Sequence, residues 1–371
     1  MIVANCMTLT GKRHKDLNIP CQDCSGVLIQ NDYSIVAVAD GHSASPHIRS
    51  DVGSRFAVSL ALNLFDKYVK TSGFKNWTEQ DKEDLGREYV YSWRSKVVDH
   101  FHKNALSSKE YAILKGYSCF EDESIWKLYG TTIIAVALSE KGSFGFQIGD
   151  GGIIAVNDDG TYDLDVHKED SRNHDNITSS LCETSVYFRF FFKVANDGDR
   201  MPSGYMVFTD GFSNSFNESD LLTFGPGIIA LSQIRGQWYS SIANQLEGCT
   251  SRSLDDTSFA FAFRDTFNFG KLYQKVFKLS DPGISVLPQY YISKIVSNGH
   301  SLSKGLSEDV EWVSLNHNSY SGRFMNGCPF GKVHIEDLTY VGPFQGFDCS
   351  GHGKIFKNGT LYYSGHFVKG K

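Results

Sequence analysis

Four short acidic motifs lie in a fixed order along this chain: Asp40-Gly41-His42, Gly149-Asp150-Gly151, Thr209-Asp210-Gly211 and Asp255-Asp256-Thr257-Ser258. In the first three, an apolar run delivers an aspartate to a glycine turn; in the fourth, two aspartates open an apolar run. A strand that ends in Asp-Gly puts a carboxylate at a sheet edge while glycine lets the backbone turn sharply. Several such edges brought together make an oxygen-rich cluster, which is what hard divalent cations require. Taken singly, an Asp-Gly after a strand is most often just a turn, and a Gly-Asp-Gly hairpin needs no metal. The ordered set is what points to metal chemistry.

The segments around these motifs must place them. Ser34 to Ala39 reads as a buried strand feeding Asp40. Ser45-Pro46 has the form of a helix start, and from Ile48 to Tyr68 apolar residues recur at helical spacing. A second amphipathic helix is expected from Glu79 to about Lys103. Strands are expected at 131–138, 144–148, 153–156, 186–194, 206–209 and 258–263. A helix from Ile228 to Leu246 should end at Gly248. Strands and helices come in batches and not in strict alternation, which favours an α+β sandwich over a doubly wound parallel sheet.

With 371 residues, 41% apolar and 21% charged, the chain is globular and long enough for one large domain and a smaller one. A formal charge of -6, with no dense Lys/Arg block, argues against a nucleic-acid binder. No apolar stretch approaches the length of a membrane span, and the first residues lack the pattern of a signal peptide. Eight cysteines without disulfide-like clustering fit a reducing, cytoplasmic compartment. The pair Cys21 and Cys24 reads as two small, partly buried residues and not as a redox or zinc motif.

Composition shifts after about Phe269, and the segment 269–315 reads as a connection. From residue 316 to 371 an internal repeat emerges: Tyr320-Ser321-Gly322-Arg323-Phe324, Tyr340-Val341-Gly342-Pro343-Phe344 and Tyr363-Ser364-Gly365-His366-Phe367. Each copy reads as a short β-hairpin whose aromatic needs a neighbouring copy to bury it.

Over roughly residues 5 to 265, within a domain read as 1–268, the acidic motifs resemble those of the metal-dependent protein phosphatase 2C family. Gln22-Asp23 looks like its early acidic motif, Asp40-Gly41-His42 its metal-binding turn, and Gly130-Thr131-Thr132 its Gly-Thr/Ser-Thr strand start. Gly149-Asp150, Thr209-Asp210-Gly211 and Asp255-Asp256-Thr257-Ser258 match the later motifs. The resemblance implies a four-layer α-β-β-α sandwich with metals at one sheet end, holding two Mg2+ or Mn2+ ions and a third at a looser site. It implies that Asp40 bridges the metals, that the Gly41 carbonyl is a further ligand, and that Asp210 and Asp255 complete the first metal. Asp150 would belong to the third site, and Gln22 and Asp23 to the second metal or its surroundings. Bridged metals lower the pKa of a shared water and hold the phosphate for in-line attack, with His42 as general acid toward the leaving serine or threonine oxygen. Asp256 is read as fixing the loop.

Two departures stand out. The family commonly has a glutamate where this chain has Gln22, an oxygen ligand without charge. Its phosphate-gripping arginine sits close before the early acidic motif, whereas here Arg13 lies further upstream; Arg13, His14 and Lys15 are the alternatives for that contact. The activity implied is hydrolysis of phosphoserine and phosphothreonine on proteins. The competing readings are a catalytically weak phosphatase-like binding module and a phosphatase of a small phosphorylated molecule. The C-terminal copies look like MORN repeats, which implies a protein contact; the alternative is an appendage that only packs.

Overall fold

The computed structural model describes residues 2–74, 77–118, 121–163, 179–186, 188–194, 201–216, 221, 229, 238–264, 266–267, 309–315, 318–325, 328–335, 338–345, 348–349, 351–357 and 359–367. The chain divides into two compact units. The first comprises Met1–Asn157, Tyr162–Leu221 and Leu246–Arg264; the second comprises Asp158–Thr161, Leu222–Gln245 and Asp265–Lys371.

In the first unit two five-stranded antiparallel sheets pack face to face. One has the order β1 (Ile2–Leu9), β10 (Thr257–Arg264), β9 (Gly204–Phe208), β6 (Gly152–Val156), β7 (Tyr162–Asp163). The other runs β2 (Cys24–Ile29), β3 (Tyr33–Ala39), β4 (Ile133–Ser139), β5 (Gly142–Ile148), β8 (Arg189–Val194). Strand periodicity sorts each side chain to a face. Val36, Val38, Ile134 and Val136 of one sheet meet Val207, Ala260 and Ala262 of the other in the central core. The alternate residues Ile35, Ala37, Ala39, Ala135 and Phe146 meet α2 (Ser50–Ser72) and α3 (Glu79–Lys103) on the outer face. There Trp93 donates to the Gly53 carbonyl at 3.1 Å and Tyr89 to that of Ala57 at 2.7 Å. Beyond the first sheet, Phe212 of α6 (Asp210–Ser213) packs with tilted rings against Phe208 and Phe259, centroids 5.2 and 5.3 Å away. The layers are therefore α-β-β-α.

The expected strands and the long helix at Glu79–Lys103 are present, the latter with a capping box in which Thr78 and Asp81 satisfy each other's backbone. Four differences have physical causes. Pro46 lies in a turn, and α2 begins at Ser50, because Arg49 is held fast there: its guanidinium reaches Glu110 at 2.6 Å, the Asn104 carbonyl at 2.9 Å and Tyr129 at 3.1 Å. Helix α7 (Trp238–Arg252) runs through Gly248 instead of ending there, and Arg252 fastens its end to the Ser215 carbonyl at 3.1 Å; most of the expected start of this helix lies outside the described residues. The glycine turn expected at Asp210-Gly211 is the opening of a short helix. The helices α4 (Ser108–Leu114) and α5 (Asp122–Leu128) were not expected, although Ser107 and Glu110 form a legible capping box. Among the described residues no helix is long and apolar enough to cross a membrane.

In the second unit, β11 (Asp309–Leu315), β12 (Asn318–Met325), β13 (Cys328–Ile335), β14 (Leu338–Gly342), β17 (Gly351–Lys357) and β18 (Thr360–Phe367) form one antiparallel sheet in that order. A two-stranded ribbon, β15 (Phe344–Gln345) and β16 (Asp348–Cys349), interrupts the sequence. The hairpin array therefore starts at Asp309, within the segment read as a connection; most of the remainder of that segment lies outside the described residues. The Tyr-x-Gly pattern has a packing reason. The buried Tyr340 ring, edge-on to Phe367 at 5.1 Å, lies over Gly342 and Gly353, and Tyr363 lies over Gly365. A side chain at 353 would overlap the Tyr340 ring, so Gly353→Val should destabilise this sheet by about 1–3 kcal/mol. Amide exchange across 338–342 and 351–357 should then speed by about tenfold or more. Unchanged exchange would show that the glycines serve something other than ring packing.

Candidate metal centre

Asp40 leaves β3, Asp150 sits in the β5–β6 turn and Asp210 starts α6, so three connections converge at one end of the two sheets. Each of the three offers a carboxyl oxygen within 4.8 Å of the others, with Asp40 and Asp210 half-buried and Asp150 exposed. The backbone of Asp40 is fixed on both sides. Its N–H donates to Thr132 Oγ1 at 3.0 Å, and its carbonyl accepts from the Thr132 N–H at 2.8 Å and from Thr131 Oγ1 at 2.7 Å. Gly211 lets the turn after Asp210 lie directly on the Asp256 carbonyl, where a β-carbon would collide. Asn214 donates to Asp210 Oδ2 at 3.0 Å.

The carboxyls crowd one another. Burial, then the charges of Asp23 and Asp210, pushes Asp40 well above the usual carboxylate range. Asp210 is raised by burial against a hydrogen bond from Asp40, with Asp150 and Asp255 adding repulsion. Asp23 is raised by burial, although Thr209 Oγ1 donates to its Oδ2 at 2.7 Å. Asp255 is raised by burial and opposed by the neighbouring His14 and Arg13. Asp40, Asp210, Asp23 and Asp255, which resist ionisation at this crowded site, would be relieved by a bound cation.

A further observation fits a metal. Gln22, whose main-chain oxygen abuts Gly41, is buried, and among the described residues its Oε1 has no hydrogen-bond partner. A buried acceptor left unpaired costs about 1–3 kcal/mol, and a cation ligand would satisfy it. Oxygen donors alone make up the set, which suits Mg2+ or Mn2+.

The other expected residues are placed as follows. Asp255 stands outside the three-carboxyl cluster, near enough for its charge to act on Asp210 and Asp23. Asp23 is buried behind the cluster on Thr209. His42 donates its N–H to the Gly130 carbonyl at 3.1 Å, and its ring lies edge-on to His47 at 4.9 Å. Burial first, then the neighbouring His47, lowers His42 to about 4, so its free imidazole is neutral at pH 7. Arg13 and Lys15 are exposed. His14 is buried, with Nδ1 2.8 Å from Asp256 Oδ2, and so faces the interior instead of the position expected for a phosphate contact.

Asp256 proves to be the hub of this region. Its Oδ1 accepts the Gly11 N–H at 2.6 Å; its Oδ2 accepts the Gln22 N–H at 2.6 Å and faces His14. Thr131, Thr132 and Thr209, which read as strand residues, hold Asp40 and Asp23 in place through their hydroxyls. The Cys21 and Cys24 thiols are free, and burial pushes Cys24 up to about 11, which leaves it unreactive at neutral pH.

The family model for protein phosphatase 2C matches residues 10–248. The chain belongs to the protein phosphatase 2C family. Its function is accordingly that of a metal-dependent protein phosphatase acting on serine and threonine residues. Among solved structures, the chain is similar to the S. agalactiae serine/threonine phosphatase, with 17% identity, 71% of this chain and 99% of that chain covered, and a TM-score of 0.46. It is also similar to Stp1 from Staphylococcus aureus, with 17% identity, 71% and 95% coverage and a TM-score of 0.44. For the Mycobacterium tuberculosis phosphatase PstP/Ppp the values are 14%, 71% and 98%, and 0.44. No curated protein matches the chain.

Proposed function

We propose that this phosphatase works with two Mg2+ or Mn2+ ions held by Asp40, the Gly41 carbonyl, Asp210, Asp255 and Gln22, with Asp150 serving a third, looser site. The convergence of Asp40, Asp150 and Asp210 carries this reading. When bound, the ions supply an activated water and neutralise phosphate charge. The chain's own residues do the rest. Thr131 and Thr132 hold Asp40 in register, Asp23 supports Thr209 from behind, and Arg13 is the exposed cation on the Asp255 side that can meet the phosphate. His42, neutral in the free protein, gains a proton as the phosphate dianion approaches and delivers it to the leaving serine or threonine oxygen. The substrate is a phosphorylated protein met in the cytoplasm, in a signalling role. The C-terminal hairpins are MORN-like and offer a surface to a protein partner.

The test is Mn2+-stimulated hydrolysis of a phosphothreonine peptide beside a small phosphomonoester, with EDTA as control. Peptide turnover that needs Mn2+ is expected, and preference for the small substrate would favour the alternative of a small-molecule phosphatase. Absence of turnover on both would favour the binding module. Gln22→Glu adds a charge to one ligand and should lower the Mn2+ concentration for half-maximal activity by roughly fivefold. No shift would remove Gln22 from the ligand set.

A further inference from the structure

Large apolar side chains that remain in water beside a charged site point to something that covers them. Leu254, the neighbour of Asp255, is 48% exposed, and on the segment that carries Arg13 Leu17 is 59% and Ile19 37% exposed. Leu254 immediately precedes Asp255 and holds a φ of 66°, the left-handed region that costs a residue with a β-carbon about 1–2 kcal/mol. It lies two residues past the end of α7, where a left-handed residue is a common way for a helix to stop, and this turn leaves its side chain in water. The Leu254 carbonyl accepts the Arg13 N–H at 3.0 Å, which docks the first turn of α1 (Lys12–Leu17) beside it.

Leu17 follows Arg13 by four residues and so shares its helix face. Ile19 is drawn back onto the same turn by its N–H bond to the His14 carbonyl at 2.9 Å. Lys12, Arg13 and Lys15 are exposed on that helix. Apolar and cationic groups therefore stand together within about 6 Å along α1, the reach of roughly two residues of extended peptide. A small phosphomonoester presents nothing to the leucines. A polypeptide that brings its phosphate to the metal centre presents a neighbouring side chain.

We propose that Leu254 and Leu17 form an apolar shelf that seats a hydrophobic side chain one or two positions from the phosphorylated residue of a substrate protein, with Lys12, Arg13 and Lys15 complementing the phosphate dianion. This rests on the phosphatase reading above and adds a substrate preference to it.

The experiment compares kcat/KM in Mn2+ for a phosphothreonine peptide flanked by leucine, the same peptide flanked by glycine, and p-nitrophenyl phosphate. The wild type should favour the leucine-flanked peptide by about tenfold, mainly through KM. In Leu254→Asn with Leu17→Ser that ratio should fall to about 1; asparagine tolerates the left-handed backbone, and Leu17→Ser alone, on an exposed helix face, should give part of the fall. Equal wild-type constants for the two peptides would overturn the shelf while leaving the phosphatase intact. So would a tenfold ratio that survives in the double variant. A wild type inactive on all three substrates would overturn the phosphatase reading itself, and the shelf with it.

Discussion

Asp40→Asn should lower Mn2+-stimulated hydrolysis of a phosphothreonine peptide by about 10^3-fold or more, and at the same time raise the melting temperature of the metal-free protein. The first effect follows from removing a charge that, on the proposed reading, would help hold the ions; such ions contribute several kcal/mol to the transition state, and about 4 kcal/mol corresponds to that factor. The second follows from the crowding of Asp40 by Asp23, Asp210 and Asp150 at a site where burial already disfavours the carboxylate. A group whose ionised form is disfavoured in the folded state destabilises that state at neutral pH. An uncharged isostere removes the penalty while leaving the Thr131 and Thr132 clamps on the main chain. About 1 kcal/mol would appear as a rise of about 2–4 °C in EDTA, and Mn2+ should then protect the wild type more than the variant. A variant that melts lower than wild type in EDTA, or keeps Mn2+-dependent turnover, would refute the assignment of Asp40.

Asp256→Ala should cost about 3–5 kcal/mol of stability, the range for breaking a buried polar set by deleting one partner. The buried N–H groups of Gly11 and Gln22 each lose a 2.6 Å bond, and His14 loses its partner at 2.8 Å. Asp256→Asn, with one carbonyl oxygen left to accept, should fall between wild type and alanine. The check is the urea midpoint at unchanged slope. A loss below about 0.5 kcal/mol, typical of an unremarkable surface change, would mean that the hub is a bystander.

Much of the framework is legible in the sequence because its signals are local. The apolar run into Asp40 and the 3.6-residue period of α3 are each set by residues close in sequence. The Asp-Gly pairs mark the three turns that converge. What escapes is set by contacts distant in sequence. Nothing near Thr131 announces that its hydroxyl will hold the carbonyl of Asp40, 91 residues earlier. His14 reads as an available cation until Asp256, 242 residues away, turns it inward. Gly248 is a sound helix terminator in isolation, yet tertiary anchoring of Arg252 to Ser215 carries α7 past it.

The hub at Asp256 also fixes when this centre can exist. Its partners Gly11 and Gln22 lie 245 and 234 residues upstream, and β1 pairs along its whole length with β10, from Ile2 opposite Arg264 to Leu9 opposite Thr257. Loop closures of that span come late, because their entropy is lost before contacts reward it. On the ribosome the early strands and α2–α3 can form while β10 is still unmade. The metal centre cannot, so a nascent phosphatase stays silent until residues 255–264 have emerged and closed the first sheet.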